Sequence, residues 1–184
     1  FAEILDNFGR IPLPPYIHRE AQDSDNDRYQ TVYASTNGSV AAPTAGLHFT
    51  TDLIEELKSA GIDIDYLTLH VGLGTFKPVS EEFIEDHNMH SERIVISKQL
   101  VEKLYHNENK TVIPVGTTSC RSLESLFWLG VKLIENPDLQ GVLNLDQWYP
   151  YTAPLRDKVG KKESLGAILN WLDKNNEDNV EANT

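Results

Sequence analysis

Histidines, one glutamate and a hydroxyl-rich turn carry most of the chemical potential of this 184-residue chain. His87-Asn-Met-His-Ser-Glu92 sets two imidazoles and a carboxylate close together. His90 and Glu92 suit general acid–base work, because imidazole titrates near neutrality and a partly buried carboxylate can be tuned upward. Thr68-Leu-His-Val-Gly-Leu-Gly-Thr-Phe76 ends a hydrophobic run on His70 and follows it with Gly72, Gly74 and Thr75, where backbone can approach a ligand closely. Gly46-Leu-His-Phe49 offers His48 just ahead of a helix start, as a third possible proton carrier or as a structural histidine. Val115-Gly-Thr-Thr-Ser-Cys-Arg121 sets Gly116, Thr117, Thr118 and Ser119 at a helix N-terminus. Unpaired N–H groups there favour an anionic or electron-rich group, and Arg121 one turn later can grip a carboxylate or hydroxyl. The same Thr and Ser residues are also ordinary caps, and the arginine could form a plain surface ion pair.

Composition narrows the chemistry. The chain carries 28 acidic against 16 basic side chains, a formal net charge of −12, which argues against a generic polyanion binder. Residues 1–92 hold 16 acidic and 5 basic side chains, whereas 93–184 hold 12 and 11. An anionic partner is therefore expected on the second half. Its basic cluster, Arg156, Lys158, Lys161 and Lys162, reads as a solvated face or as a contact to such a partner. Residues 29–51 contain no charged side chain, and 66–76 form a second uncharged run. The two runs, which hold His48 and His70, are expected to wall a common ligand site. One cysteine, Cys120, excludes an internal disulfide framework. His87 and His90 match no closed zinc spacing, so a metal-dependent hydrolase is the weaker reading and no metal is expected. No apolar run is long enough to span a bilayer, which points to a cytoplasmic protein without membrane contact.

The elements that must position these groups alternate between strand and helix. Phe1, Ile4, Leu5 and Phe8 predict a helix end, and the proline-rich stretch 11–16 a stiff extended segment. Strands are predicted at 31–34, 62–71, 93–96 and 111–115, and an extended stretch at 143–151. Helices are predicted from Asp52 (as a capping box with Glu55, with Leu53, Leu57 and Ala60 inward), at 80–86, from Ser97, from Thr118 to Glu135, and at 164–172. This order predicts an α/β fold with a partly parallel sheet and flanking helices. The α/β domain is expected over residues 1–172, incomplete, with 173–184 a polar, disordered tail.

Six blocks in one order carry a resemblance: Gly9 to Ile17, Asp27 to Ala34, Gly38 to Thr50, Leu67 to Val79, Met89 to Glu92, and Val115 to Ser125. Together they resemble the S-adenosylmethionine:tRNA ribosyltransferase-isomerase family of queuosine biosynthesis. The family's N-terminal opening and its later Asn-Phe-His and Tyr-Gly-Asp blocks do not occur here, so a central fragment or a truncated, divergent member is expected. The resemblance implies transfer and isomerisation of the ribosyl group of S-adenosylmethionine onto 7-aminomethyl-7-deazaguanine in tRNA, giving epoxyqueuosine, adenine and methionine. S-adenosylmethionine is then a substrate and no true cofactor is expected. Its sulfonium acidifies the adjacent C5′ hydrogens, so a positioned base can start the reaction. His48, His70 and His90 are the candidates, unranked, with Glu92 as acid or as balance for the sulfonium charge. Segments 68–76 and 116–121 are expected to hold the adenosyl and methionyl parts. The alternative is a noncatalytic nucleoside- or tRNA-binding module.

Overall fold

Ile94 and Ile96 stand two positions apart in a β-branched run, and Ser97 follows them immediately, so a half-buried strand runs straight into a capped helix. In the computed structural model, which describes residues 9, 11–14, 16–39, 41–72, 74, 81–107 and 109–184, these become β2 (Arg93–Ser97) and a helix over Lys98–His106. The Leu100 N–H donates to Ser97 Oγ at 3.2 Å, satisfying one of the amides that every helix start leaves open. The chain divides into two compact units, residues 1–62 with 70–87, and residues 63–69 with 88–184.

In the first unit, Arg19 grips the buried Asp25 with two hydrogen bonds of 2.7 Å. The Gln22 N–H adds a third at 2.8 Å. The guanidinium hydrogen bonds, before any other influence, hold the Asp25 carboxyl well below the usual carboxylate range. Asp25 opens the short helix α1 (Asp25–Arg28). Residues 31–34 form a turn closed by Ala34 N–H to Thr31 O rather than the predicted strand. Helix α2 (Thr51–Ser59) is capped by Thr50, whose Oγ1 accepts the Leu53 N–H at 3.1 Å. Asp52 therefore lies inside the first turn, where a carboxylate suits the helix dipole, instead of capping it. Its inward side chain is Ile54; Leu53 and Ala60 are exposed. The predicted helix end at 1–8 lies outside the described residues, as does Ser80; a 3-10 turn covers Ile84–Asp86.

The second unit is built on a mixed four-stranded sheet. Its strands are β1 (Thr68–His70, of which Thr68 and Leu69 belong to this unit), β2, β3 (Leu143–Asn144) and β4 (Asn179–Asn183), in the order β1-β2-β4-β3. β4 runs antiparallel to β2 and parallel to β3. The fold is thus α/β with a partly parallel sheet and flanking helices, as the alternation predicts. Register places Ile94 opposite Ala182 and Ile96 opposite Val180, so four buried side chains share one face. Helix α3 (Lys98–His106), helix α4 (Thr117–Glu135) and helix α6 (Lys161–Asn175) cover that core with Val101, Leu126, Leu129, Ile168 and Leu172. Between α4 and α6 lies the one-turn helix α5 (Tyr149–Thr152), in the stretch predicted to be extended. Ser164 Oγ donates to Phe127 O at 2.6 Å and ties α6 to α4.

Three further expectations change. The stretch 173–184 is no disordered tail: α6 ends on Asn176 in the left-handed region (φ 54°), the Glu177 N–H turns back to Leu172 O at 3.0 Å, and β4 then enters the sheet between β2 and β3. Asn and acid content conceals it, because only Val180 and Ala182 need to be apolar. Residues 111–115 form no strand: Pro114 lacks an N–H for a ladder and Ile113 is 79% exposed. The predicted strand at 62–71 shortens to Thr68–His70, while Asp63 and Asp65 are held by Lys110 at 2.9 Å and Lys103 at 2.6 Å.

Candidate functional site

Strand parity explains how an ionisable group comes to be buried at the edge of this core. Glu92 extends the inward face of β2 by one step beyond Ile94 and Ile96, and its backbone continues the β2–β4 ladder. The Glu92 N–H donates to Thr184 O at 2.9 Å and the Thr184 N–H to Glu92 O at 3.0 Å. Its side chain is 5% exposed. A carboxylate withdrawn from water to that extent requires polar partners. Nε2 of His90 supplies one, 3.0 Å from Oε1. The pair is an ion pair when the imidazole is protonated and both ring nitrogens carry hydrogen; in the neutral ring that donates Nε2–H to Glu92, the basic lone pair lies on Nδ1.

Arg121 reaches the same corner from α4, donating a long hydrogen bond of 3.4 Å to the His90 carbonyl. The second unit thus gathers His90, Glu92 and Arg121, which the sequence spreads over 32 positions. Gln147, which no sequence feature singles out, accepts the Met89 N–H at 2.8 Å and steadies the strand entry beside His90.

The start of α4 explains why a glycine precedes its hydroxyls. Gly116 has φ +88°, which a side chain rarely tolerates, and provides no side-chain cap. The first intrahelical bond runs from the Cys120 N–H to Gly116 O. The amides of Thr117, Thr118 and Ser119 therefore have no intrahelical acceptor. Thr118 and Ser119 are half-buried, and Thr117 is exposed. The helix starts one residue earlier than predicted. The amides do not face the end of a 111–115 strand, since none forms; one turn of the helix brings Arg121 to His90 instead.

The first unit holds the other candidates. His48 is exposed at the end of a 3-10 turn (Thr44–His48). His70 is half-buried against Gly38, where an added Cβ would lie 2.8 Å from Nδ1; the glycine's φ of +129° also disfavours a side chain. The Val71 N–H donates to Ser39 Oγ at 3.2 Å, so the two uncharged runs do meet. Gly72 and Gly74 are half-buried; Thr75 lies outside the described residues. No described atom approaches within 4 Å of a Cβ placed on Gly72. Among the described residues, no three His, Cys, Asp or Glu side chains cluster to hold a metal, and no helix is long and apolar enough to cross a membrane.

Comparison with known proteins adds a family. The family described as queuosine biosynthesis protein matches residues 1–140. The S-adenosylmethionine:tRNA ribosyltransferase-isomerase of Treponema denticola is 58% identical over 128 residues, which make up 68% of this chain and 37% of that protein. The chain thus spans little more than a third of the length of this curated relative. No solved structure matches it.

Proposed function

Because the chain belongs to the queuosine biosynthesis protein family, we propose that it takes part in transferring and isomerising the ribosyl group of S-adenosylmethionine onto 7-aminomethyl-7-deazaguanine in tRNA, yielding epoxyqueuosine, adenine and methionine. The observation that carries this is the corner formed by His90, Glu92 and Arg121 at a helix start with open amides. S-adenosylmethionine is a cationic sulfonium with a carboxylate at its methionyl end, and the corner offers a group suited to each. The Thr117–Ser119 amides and the Arg121 guanidinium suit the carboxylate through charge-assisted hydrogen bonds. His90 accepts the acidified C5′ proton on Nδ1, and the buried Glu92 carboxylate stabilises the imidazolium so formed. S-adenosylmethionine serves as substrate, no separate cofactor is needed for proton removal, and the reaction belongs in the cytoplasm with its tRNA.

The test is release of adenine and methionine from S-adenosylmethionine when the full chain is given tRNA bearing 7-aminomethyl-7-deazaguanine, with the new nucleoside identified by mass. Glu92→Gln keeps the shape and a hydrogen bond to His90 but removes the charge. It is expected to lower the rate about a hundredfold with an unchanged circular dichroism spectrum. A Glu92→Gln rate equal to that of the parent would remove the pair from the chemistry. A second reading, a noncatalytic nucleoside- or tRNA-binding module, needs only the binding groups of this corner, the first-turn amides and Arg121. Binding of both ligands without adenine release would select it.

A further inference from the structure

The proposed reaction requires an acidic chain to hold RNA, and net charge will not supply the attraction. Affinity must then come from a local surface that combines cations with contacts indifferent to charge. Residues 146–158 of the second unit provide one. Trp148 is 37% exposed and Tyr151 64% exposed, and their rings lie 5.9 Å apart in a tilted arrangement. The Arg156 guanidinium stands over the Tyr151 ring at 5.7 Å, and Lys158 is exposed two residues further on.

The turn beneath this surface is firmly held. Glu135, at the end of α4, accepts the Tyr149 hydroxyl at 2.8 Å and the Leu155 N–H at 3.2 Å, bracketing the segment at both ends. Tyr149 lies edge-on to Trp128 and under Lys132. The Trp148 N–H donates to Asp146 Oδ1 at 2.9 Å. A rigid pair of exposed rings flanked by two cations matches what unpaired bases require: flat π-faces to stack on, with positive charge for the adjoining phosphates. A base-paired duplex buries its base faces and could use the cations alone.

We infer that Trp148 and Tyr151, with Arg156 and Lys158, form a stacking platform for unpaired bases of an RNA substrate. The inference rests on the proposed tRNA reaction for its choice of partner and goes beyond it in assigning the surface. Lys161 and Lys162 are left out: Lys161 Nζ donates to Asn107 O at 2.8 Å and Lys162 lies over the Tyr105 ring, so both are engaged in the fold.

The experiment measures anisotropy of a short fluorescein-labelled single-stranded RNA, of a blunt duplex of equal charge, and of a tRNA transcript, each titrated with the full chain. The parent should prefer the single strand. Trp148→Ala and Tyr151→Ala should each weaken its binding about tenfold while leaving the salt dependence unchanged. Trp148→Phe and Tyr151→Phe should restore it, since a ring face remains. Arg156→Gln should reduce the slope of log affinity against log salt by about one. Parent-like single-strand affinity in both alanine variants overturns the platform and leaves the proposed reaction standing. Loss of self-association in those variants, with RNA binding intact, also overturns it and assigns the surface to a protein contact. Platform-dependent RNA binding without adenine release from S-adenosylmethionine supports the platform and overturns the reaction. Absence of RNA binding by the parent overturns both.

Discussion

Helices α3 and α4 of the second unit both begin beside hydroxyl-bearing residues, yet they begin in opposite ways. Ser97 stands before the first turn of α3 in extended backbone and turns its Oγ back to the Leu100 amide. In α4 the hydroxyls of Thr117, Thr118 and Ser119 stand inside the first turn, and the position that would cap them is Gly116, at φ +88° and without a side chain. A closed start stabilises the helix and leaves its amides nothing to bind. An open start forgoes that stabilisation and keeps the amides available, beside Arg121 and the His90–Glu92 pair. What differs is the placement of the hydroxyls by one to three positions rather than their presence.

The comparison is broken most directly by closing the open start. Ser119→Glu sets a carboxylate at the third helical position, where it can accept the Gly116 N–H as the acidic residue of a capping box does and puts negative charge against the first-turn amides. S-adenosylmethionine affinity is expected to fall by about 3 kcal/mol, as a charge-assisted hydrogen bond gives way to repulsion. The melting temperature should hold or rise, because acids suit a first helical turn. Calorimetric titration and a thermal melt decide it, and unaltered affinity in a folded variant would make the α4 start a plain helix end.

Gly116→Ala probes the backbone that keeps this start open. A methyl group at φ +88° should cost about 1–2 kcal/mol of stability, read from the urea midpoint. The first-turn amides must shift with it, so S-adenosylmethionine binding should weaken as well. An equally stable variant with parent affinity would show that the glycine serves no geometric purpose.

The closed starts sharpen the contrast from the other side. Ser97→Ala should cost about 1 kcal/mol of stability and leave S-adenosylmethionine affinity unchanged. Thr50→Ala, at the exposed start of α2, should cost less, about 0.5 kcal/mol, again without a binding effect. A measurable loss of ligand affinity from Ser97→Ala would mean that the two starts of the second unit are functionally coupled and that the distinction drawn between them is too sharp.

Local patterns in the sequence determined the parts of this protein that rest on hydrogen bonds between near neighbours. β2 with its Ser97-capped helix, the long helix to Glu135 and the closeness of His90 to Glu92 all follow from residues within about one turn of each other. The blocks from Gly9 to Ser125 were equally legible, and they marked the family that residues 1–140 match. Tertiary structure decided whatever needed a distant partner. Residues 31–34 and 111–115 have strand-like composition but no ladder partner among the described residues, whereas Asn179–Asn183, polar and rich in Asn, becomes a strand because β2 and β3 flank it. The burial of Glu92 was decided in the same way: its backbone pairs with Thr184, 92 positions away, and that pairing continues the face set by Ile94 and Ile96. Arg121 reaches the His90 carbonyl because α4 joins, through Leu126 and Leu129, the same core that Ile94 and Ile96 of β2 enter. A strand's hydrogen bonds lie outside its own segment, so its existence and its buried face depend on which other segment arrives beside it; a helix carries its bonds, and most of its caps, within itself.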